Sequence, residues 1–240
     1  LATEIPETAQ TFDRLVRSRR SVRKFTDERI PEEVIEHCIE LAFLAPNSSN
    51  LQPWHVWWVR DDAQRKALAK ACMSQNAART ASDLLVVAAR TGTWRETARR
   101  YMEEWPDGEP APIVRKYYTK LAPLMYTVGW FGIPGRIKQV VFSLMRLFRV
   151  MPAVYYSQAD LKTWAVKSTA LAGQNLMMAL HAHGYDTCPM EGFDPWRVSR
   201  IVGLPRDAYV IMVLGAGRAA EDGIYMSRWR VPPEERTTRI

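Results

Sequence analysis

Residues Ala165 to Leu180 read AVKSTALAGQNLMMAL. Apolar or small side chains fall on nearly every face of a 3.6-residue turn, and Gly184 stands at the C′ position of a helix running from Leu161 to His183. Such a helix has almost no polar face for water, so it belongs at the centre of a core or between two subunits. Immediately downstream, Thr187–Phe193 (TCPMEGF) reads as a loop carrying Pro189 and Gly192. A short helix is expected after Asp194, and Tyr209–Leu214 (YVIMVL) has the composition of a buried strand.

Upstream lies Trp94–Asp160, rich in Tyr, Trp and Arg and interrupted by Pro106, Pro110, Pro112, Pro123, Pro134 and Pro152. Proline inside a helix removes a hydrogen bond and clashes with the preceding turn, so several short helices are expected. Within Arg136–Val150, a wide apolar face holds Ile137, Val140, Val141, Leu144, Met145, Leu147 and Phe148, while Arg136, Lys138, Arg146 and Arg149 sit elsewhere. A basic amphipathic stripe is more often packed on its own protein or on a partner subunit than on a bilayer, so membrane-surface contact is not expected. Tyr117, Tyr118, Tyr126, Trp130 and Phe131 are aromatic surface suited to stacking on a planar molecule.

Further toward the N-terminus, Asp83–Ala89 (DLLVVAA) reads as a buried strand and Asp61–Met73 as a helix with Leu68, Ala69 and Cys72 inward. Pro31–Ala45 is a helix with Pro and two Glu in its first turn and Val34, Ile35, Cys38, Ile39, Leu41 and Ala42 at helical spacing. Pro46 ends it, and Asn47–Asn50 leads through Gln52 into the strand Trp54–Val59. Asn and Gln can both donate and accept along a flat heteroaromatic edge, but Asn and Ser are also ordinary turn formers, and taken by itself the stretch reads as a plain helix-to-strand connection.

Ser18–Phe25 (SRRSVRKF) places four cations and two hydroxyls in eight positions, after a short helix at Thr8–Arg17 with Phe12, Leu15 and Val16 on one face. Arginine forks with a serine hydroxyl are the chemistry of phosphate recognition. A solvated or nucleic-acid-binding basic patch is the competing reading.

At 240 residues and 47% hydrophobic content, with no linker or repeat, the chain reads as a single domain over residues 1–240. Its net charge of +7 suits nucleic acid, an anionic membrane or phosphorylated ligands without choosing among them. Cys38, Cys72 and Cys188 are odd in number and far apart, which points to a reducing compartment. With no secretory-type leader and no run long enough to span a bilayer, a soluble cytoplasmic protein is expected. His181 and His183 point to different helix faces, and His37 and His55 lack partners at ligand spacing, so no metal is expected. Rossmann, P-loop and serine-hydrolase motifs are missing.

Four separated stretches resemble the FMN-dependent nitroreductase family: RRSVR at Arg19–Arg23, APNSSNLQPW at Ala45–Trp54, PMEG at Pro189–Gly192, and the late Arg of YMSRWRVP at Arg228. The resemblance implies an α+β fold, with a central, mostly antiparallel sheet flanked by helices, built as an intertwined homodimer with FMN at the subunit interface. It implies that Arg19, Arg20, Ser21 and Arg23 hold the ribityl phosphate and part of the pyrimidine side, that Arg228 closes on the phosphate, and that Pro46, Asn47, Ser48, Asn50 and Gln52 reach the flavin from the other subunit. Pro189, Met190, Glu191 and Gly192 would pass beside the ring, with a peptide N–H near Gly192 toward the flavin N5 and Glu191 either a candidate acid or a residue placed there through its peptide group. NAD(P)H would be the electron donor, and a small electron-poor molecule such as a nitroaromatic or quinone the acceptor. Residues 94–160 would form a helical lid that selects the acceptor without touching flavin binding. Reductive dehalogenation or enone reduction would use the same flavin, although the Glu-x-x-x-Tyr pair of a deiodinase-like lid is absent between Arg95 and Asp160. A non-catalytic basic module that binds nucleic acid or lipid is the alternative from a different class.

Overall fold

Strand β2 (Asp83–Arg90) organises the molecule because all of its residues except the last are buried. A strand covered on both faces shows a continuous apolar run where a half-buried one would alternate. The computed structural model, which describes residues 6–106, 108–129, 133–152 and 154–240, places β2 between β1 (Trp54–Val59) and β4 (Ala208–Gly217). With β3 (Asp186–Met190), these form one antiparallel sheet in the order β1-β2-β4-β3. Register is set by pairs such as Val56 with Val87, Val86 with Val213 and Cys188 with Gly215.

Side-chain alternation along β2 sends Leu84 and Val86 to one face and Leu85 and Val87 to the other. The first face is covered by α3 (Asp62–Ala71), α4 (Asn76–Thr80) and α10 (Pro195–Val202), through Leu68, Cys72, Ala77 and Val198. The second is covered by α2 (Glu32–Phe43) and α9 (Gln158–Ala182), through Ile35, Cys38, Leu176 and Leu180. A capping box starts α9: the Ser157 hydroxyl accepts from Asp160 N at 3.1 Å, and the Asp160 carboxylate accepts from Ser157 N at 2.9 Å. Contrary to burial on all sides, α9 leaves Lys167, Ala170, Leu171 and Gln174 exposed in the single chain, because the sheet and α2 meet only its opposite face.

Two further expectations change. Asp186–Met190 is a strand, and the loop begins only at Glu191; Pro189 is tolerated because β3 is an edge strand with β4 as its one ladder partner. β4 continues through Gly215 and Gly217, where added Cβ atoms would lie 3.0 Å from Ala77 O and 3.2 Å from the Phe25 ring. Close approach of other segments keeps these positions small.

Among the described residues the first helix is α1 (Glu7–Ser18), and the stretch after β2 is indeed a chain of short helices: α5 (Trp94–Glu103), α6 (Pro112–Lys116), a π-helical turn at Tyr117–Leu121, α7 (Ala122–Tyr126) and α8 (Ile133–Arg146) make up the insertion. Trp94, Tyr126 and Val128 pack on Leu161 and Trp164 of α9, forming a third core cluster with Leu51. Helix α8 is turned opposite to expectation. Gly135, Lys138 and Phe142 are its buried residues, and the apolar stripe faces outward. Lys138 donates from Nζ to Leu124 O and Thr127 O, both at 2.8 Å, capping the carbonyl end of α7.

Candidate functional site

Helix α1 ends at Ser18 and the chain becomes extended along the edge of β3. Ser21 bridges Thr187, Val22 N donates to Thr187 O at 3.1 Å, Arg23 N donates to Gly223 O at 2.7 Å, and Phe25 bridges Ala219. Val22 and Phe25 are buried, so they pin the segment to the sheet while its cations remain at the surface of the fold. Lys24 leaves the group by pairing with Asp222 at 2.6 Å. Arg19, Arg20, Ser21 and Arg23 line one cleft of about 320 Å³ together with Arg228 and Arg230 from the C-terminal arm. Simple alternation would send Arg20 to the opposite side; instead it donates to Met226 O in the arm. Arg228 donates to Arg17 O at 2.6 Å and also to Arg19 O, so it binds the free carbonyls at the end of α1.

Arg19 is the least compensated of these cations. Its Nη1 is buried without a hydrogen-bond partner. Burial pushes its pKa down first, and the neighbouring charges of Arg228 and Arg230 push it further, with Asp186 opposing. A buried unpartnered donor in a cluster of like charge calls for an anion, and a phosphate fits the fork geometry.

Beneath the cleft is a row that the sequence does not announce. Ser18 Oγ lies 2.7 Å from His181 Nε2, and His181 Nδ1 lies 3.3 Å from the Asp186 carboxylate, joining α1, α9 and β3. Ser18 also donates to Arg14 O at 2.7 Å. That hydroxyl closes the last turn of α1 against carbonyl oxygens, so the row acts as a strut under Arg19 and lacks the surroundings of a nucleophile. Cys38 and Cys72, raised by burial to about 11 and about 12, are equally poor nucleophiles.

At the far end of β3, Met190 is buried while Glu191 and Gly192 are exposed. Gln75, a residue that sequence reading misses, donates from Nε2 to Gly192 O at 2.8 Å and to Cys72 O at 3.1 Å. It holds the Pro189–Gly192 segment from the turn before α4.

The Pro46–Gln52 loop is built differently. Ser49, Asn50 and Gln52 have φ of 61°, 47° and 44°, a left-handed backbone that side chains disfavour and that persists only when its surroundings enforce it. Asn47 Oδ1 accepts from Gln52 N at 2.9 Å. The other restraints come from the insertion: Ser49 Oγ is 2.5 Å from the Tyr117 hydroxyl and 3.0 Å from that of Tyr126, Ser48 Oγ is 3.2 Å from Tyr126, and Tyr118 donates to Ser49 O at 2.8 Å. Burial raises Tyr118 to about 12 and pushes Tyr155 beyond that, so both remain phenols across the neutral range. Tyr126 has no exposed surface, which removes it from the set that could stack on a planar acceptor. Trp130 and Phe131 lie outside the described residues. Among the described residues, the clamp, β3 and Arg228 are brought together, and no hydrogen bond joins the 46–52 loop to them.

Comparison with known proteins agrees with this architecture. The family model described as "Nitroreductase family" matches residues 16–218. A protein of Thermus thermophilus named "NADH dehydrogenase" is 30% identical over 209 residues, covering 85% of each chain. Among solved structures, a nitroreductase family protein of Streptococcus pneumoniae superposes with a TM-score of 0.72 at 20% identity, covering 95% of this chain and 100% of that one. An FMN complex from Exiguobacterium sibiricum superposes with a TM-score of 0.71 at 24% identity, covering 95% and 97%.

Proposed function

The chain belongs to the nitroreductase family, and from that premise we propose that it is an FMN-dependent oxidoreductase, taking a hydride from NAD(P)H and delivering it to a small electron-poor acceptor such as a nitroaromatic or quinone. The observation that carries this reading is the buried, unpartnered Nη1 of Arg19 in a cleft shared with Arg20, Ser21, Arg23, Arg228 and Arg230. Such a cleft matches the phosphate end of FMN in charge and donor type. Support also comes from the name of the Thermus relative and from the FMN held by the Exiguobacterium structure.

Bound FMN would supply, at N5, both the hydride acceptor for NAD(P)H and the hydride source for the second substrate. In this reading the arginines hold the phosphate and stabilise negative charge on the pyrimidine side. The Gln75-anchored segment Pro189–Gly192 would border the ring, and no side chain is assigned as an obligatory acid. Donor and acceptor use the same space in turn, so ping-pong kinetics are expected.

The homodimer belongs to the same proposal. Two features support it: the exposed strip of α9 at Ala170 and Leu171, and the lack, among the described residues, of any hydrogen bond between the Asn47–Gln52 loop and the clamp. A second copy would bring its own loop to the flavin. Residues 94–160 then border the acceptor from a single domain, and three buried free cysteines suit the cytoplasm.

The test is spectroscopic. The purified protein, supplied with FMN, should show bound-flavin absorbance that NAD(P)H bleaches under anaerobic conditions and that a quinone or nitroaromatic restores. Failure of the apoprotein to bind FMN would overturn the reading.

A further inference from the structure

Helix α8 presents to the outside the face that a soluble helix normally hides. Ile133, Ile137, Val140 and Leu144 recur at intervals of three and four along its outer side, and Leu147 and Phe148 extend the patch past its end. Their exposures are high, 61% at Ile137, 60% at Val140 and 88% at Phe148. The helix cannot rotate to cover them. On its inner side a Cβ at Gly135 would lie 1.8 Å from Tyr156 O, and Lys138 is held by the carbonyls of Leu124 and Thr127.

Charge indicates what covers the patch. Between Pro110 and Ala159 the sequence holds seven Lys and Arg and no Asp or Glu. The whole chain has 33 Lys and Arg against 26 Asp and Glu, so outside this stretch the numbers are 26 and 26. All of the formal excess of +7 therefore resides in the segment that carries the exposed apolar helix. Arg136, Arg146 and Arg149 stand exposed on α8 and just beyond it.

A two-fold contact through this face would set the same cations against themselves with no acid in the stretch to pair them. An anionic bilayer offers what the face lacks: hydrocarbon for the outer pole and phosphates for the arginines, whose long side chains can reach the headgroup level from a helix lying in the interface. We propose that α8 docks the protein onto an anionic phospholipid surface, lying in the interface with Ile137, Val140 and Leu144 toward the acyl boundary. The contact is peripheral, since among the described residues no helix is long and apolar enough to cross a membrane. It is independent of the flavin reading, because no residue of the clamp takes part.

Co-sedimentation of the full chain with vesicles tests it, comparing pure phosphatidylcholine with mixtures containing about 30 mol% phosphatidylglycerol. The protein should pellet with the anionic vesicles, less so as salt rises, and stay in solution with the neutral ones. The combined change Ile137→Gln, Val140→Gln, Leu144→Gln and the combined change Arg136→Gln, Arg146→Gln, Arg149→Gln should each weaken binding at least about tenfold. All six positions are exposed, and unchanged circular dichroism would confirm folding of both variants. Three results would overturn the proposal: no pelleting with anionic vesicles, binding unaffected by loss of the apolar pole, or an apolar variant that falls to a smaller oligomer while still binding vesicles, which would assign the face to a second copy.

Discussion

The clamp and the helical insertion both concentrate positive charge, and they do so in opposite ways. In the clamp, arginines from two distant segments converge on one cleft, fixed by backbone bonds to β3 and the C-terminal arm, with acids such as Asp186 and Asp222 close by. Between Pro110 and Ala159 of the insertion the cations are spread along helices in a stretch that holds no acid, and the one lysine that turns inward there caps a neighbouring helix. Convergent charge selects a small anion in one geometry, whereas dispersed charge beside apolar surface responds to an extended one. Composition alone counts them equally.

The strongest way to break the contrast is to remove the convergent charge. Replacing Arg19 and Arg23 together with Ala deletes two charge-assisted contacts worth about 1.5–3 kcal/mol each, a loss on the order of a hundred- to ten-thousandfold in FMN affinity. Titration of apoprotein with FMN, followed by flavin fluorescence, measures it. Unaltered affinity would remove the clamp from the site.

A second change asks whether α8 is oriented as described. Lys138→Met leaves the carbonyls of Leu124 and Thr127 without their donor and should cost about 2–4 kcal/mol, seen as a lower thermal midpoint. Ile137→Gln, on the outer face, should change stability by less than about 0.5 kcal/mol. Equal effects would mean that the stripe is packed after all.

Smaller effects sharpen the boundary between the regions. Asp207 accepts from Arg90 Nε at 2.9 Å and Gly92 N at 3.0 Å, where the chain leaves β2 for the insertion. Burial alone would raise its pKa, but these donors hold it below the ordinary aspartate value. A depressed carboxylate contributes stability in full above the unfolded aspartate pKa and loses it as pH falls through the folded value. Asp207→Asn should therefore cost about 1–2 kcal/mol at neutral pH and progressively less in acid, as thermal melts across that range would show. A pH-independent deficit would assign the loss to packing.

Least of all, Tyr126→Phe should cost about 1 kcal/mol by removing the hydroxyl shared with Ser48 and Ser49. It should also weaken FMN binding slightly if that loop reaches the flavin, contrary to a lid that leaves the cofactor alone. An unchanged FMN affinity would keep the insertion and the flavin site separate.

Element types were written in local sequence, because periodicity is a property of neighbours along the chain. The apolar run of β2, the spacing of Ile35, Cys38 and Ala42 in α2 and the Pro-broken insertion each identify themselves without the fold. So do the four stretches that carry the family resemblance, since arginine and amide chemistry stays with the residue. What periodicity cannot say is which way a face turns or what lies across from it. Pro189 argues against a strand until β3 is seen at the sheet edge. The stripe of α8 argues for burial until Gly135 against Tyr156 and Lys138 against α7 decide the rotation. Ser18 meets His181, and Ser49 meets Tyr117, across long stretches of chain that leave no local mark. The sequence by itself determined the parts and their chemistry; tertiary structure alone decided facing and partnership, because those depend on steric and polar fit between residues far apart in the chain.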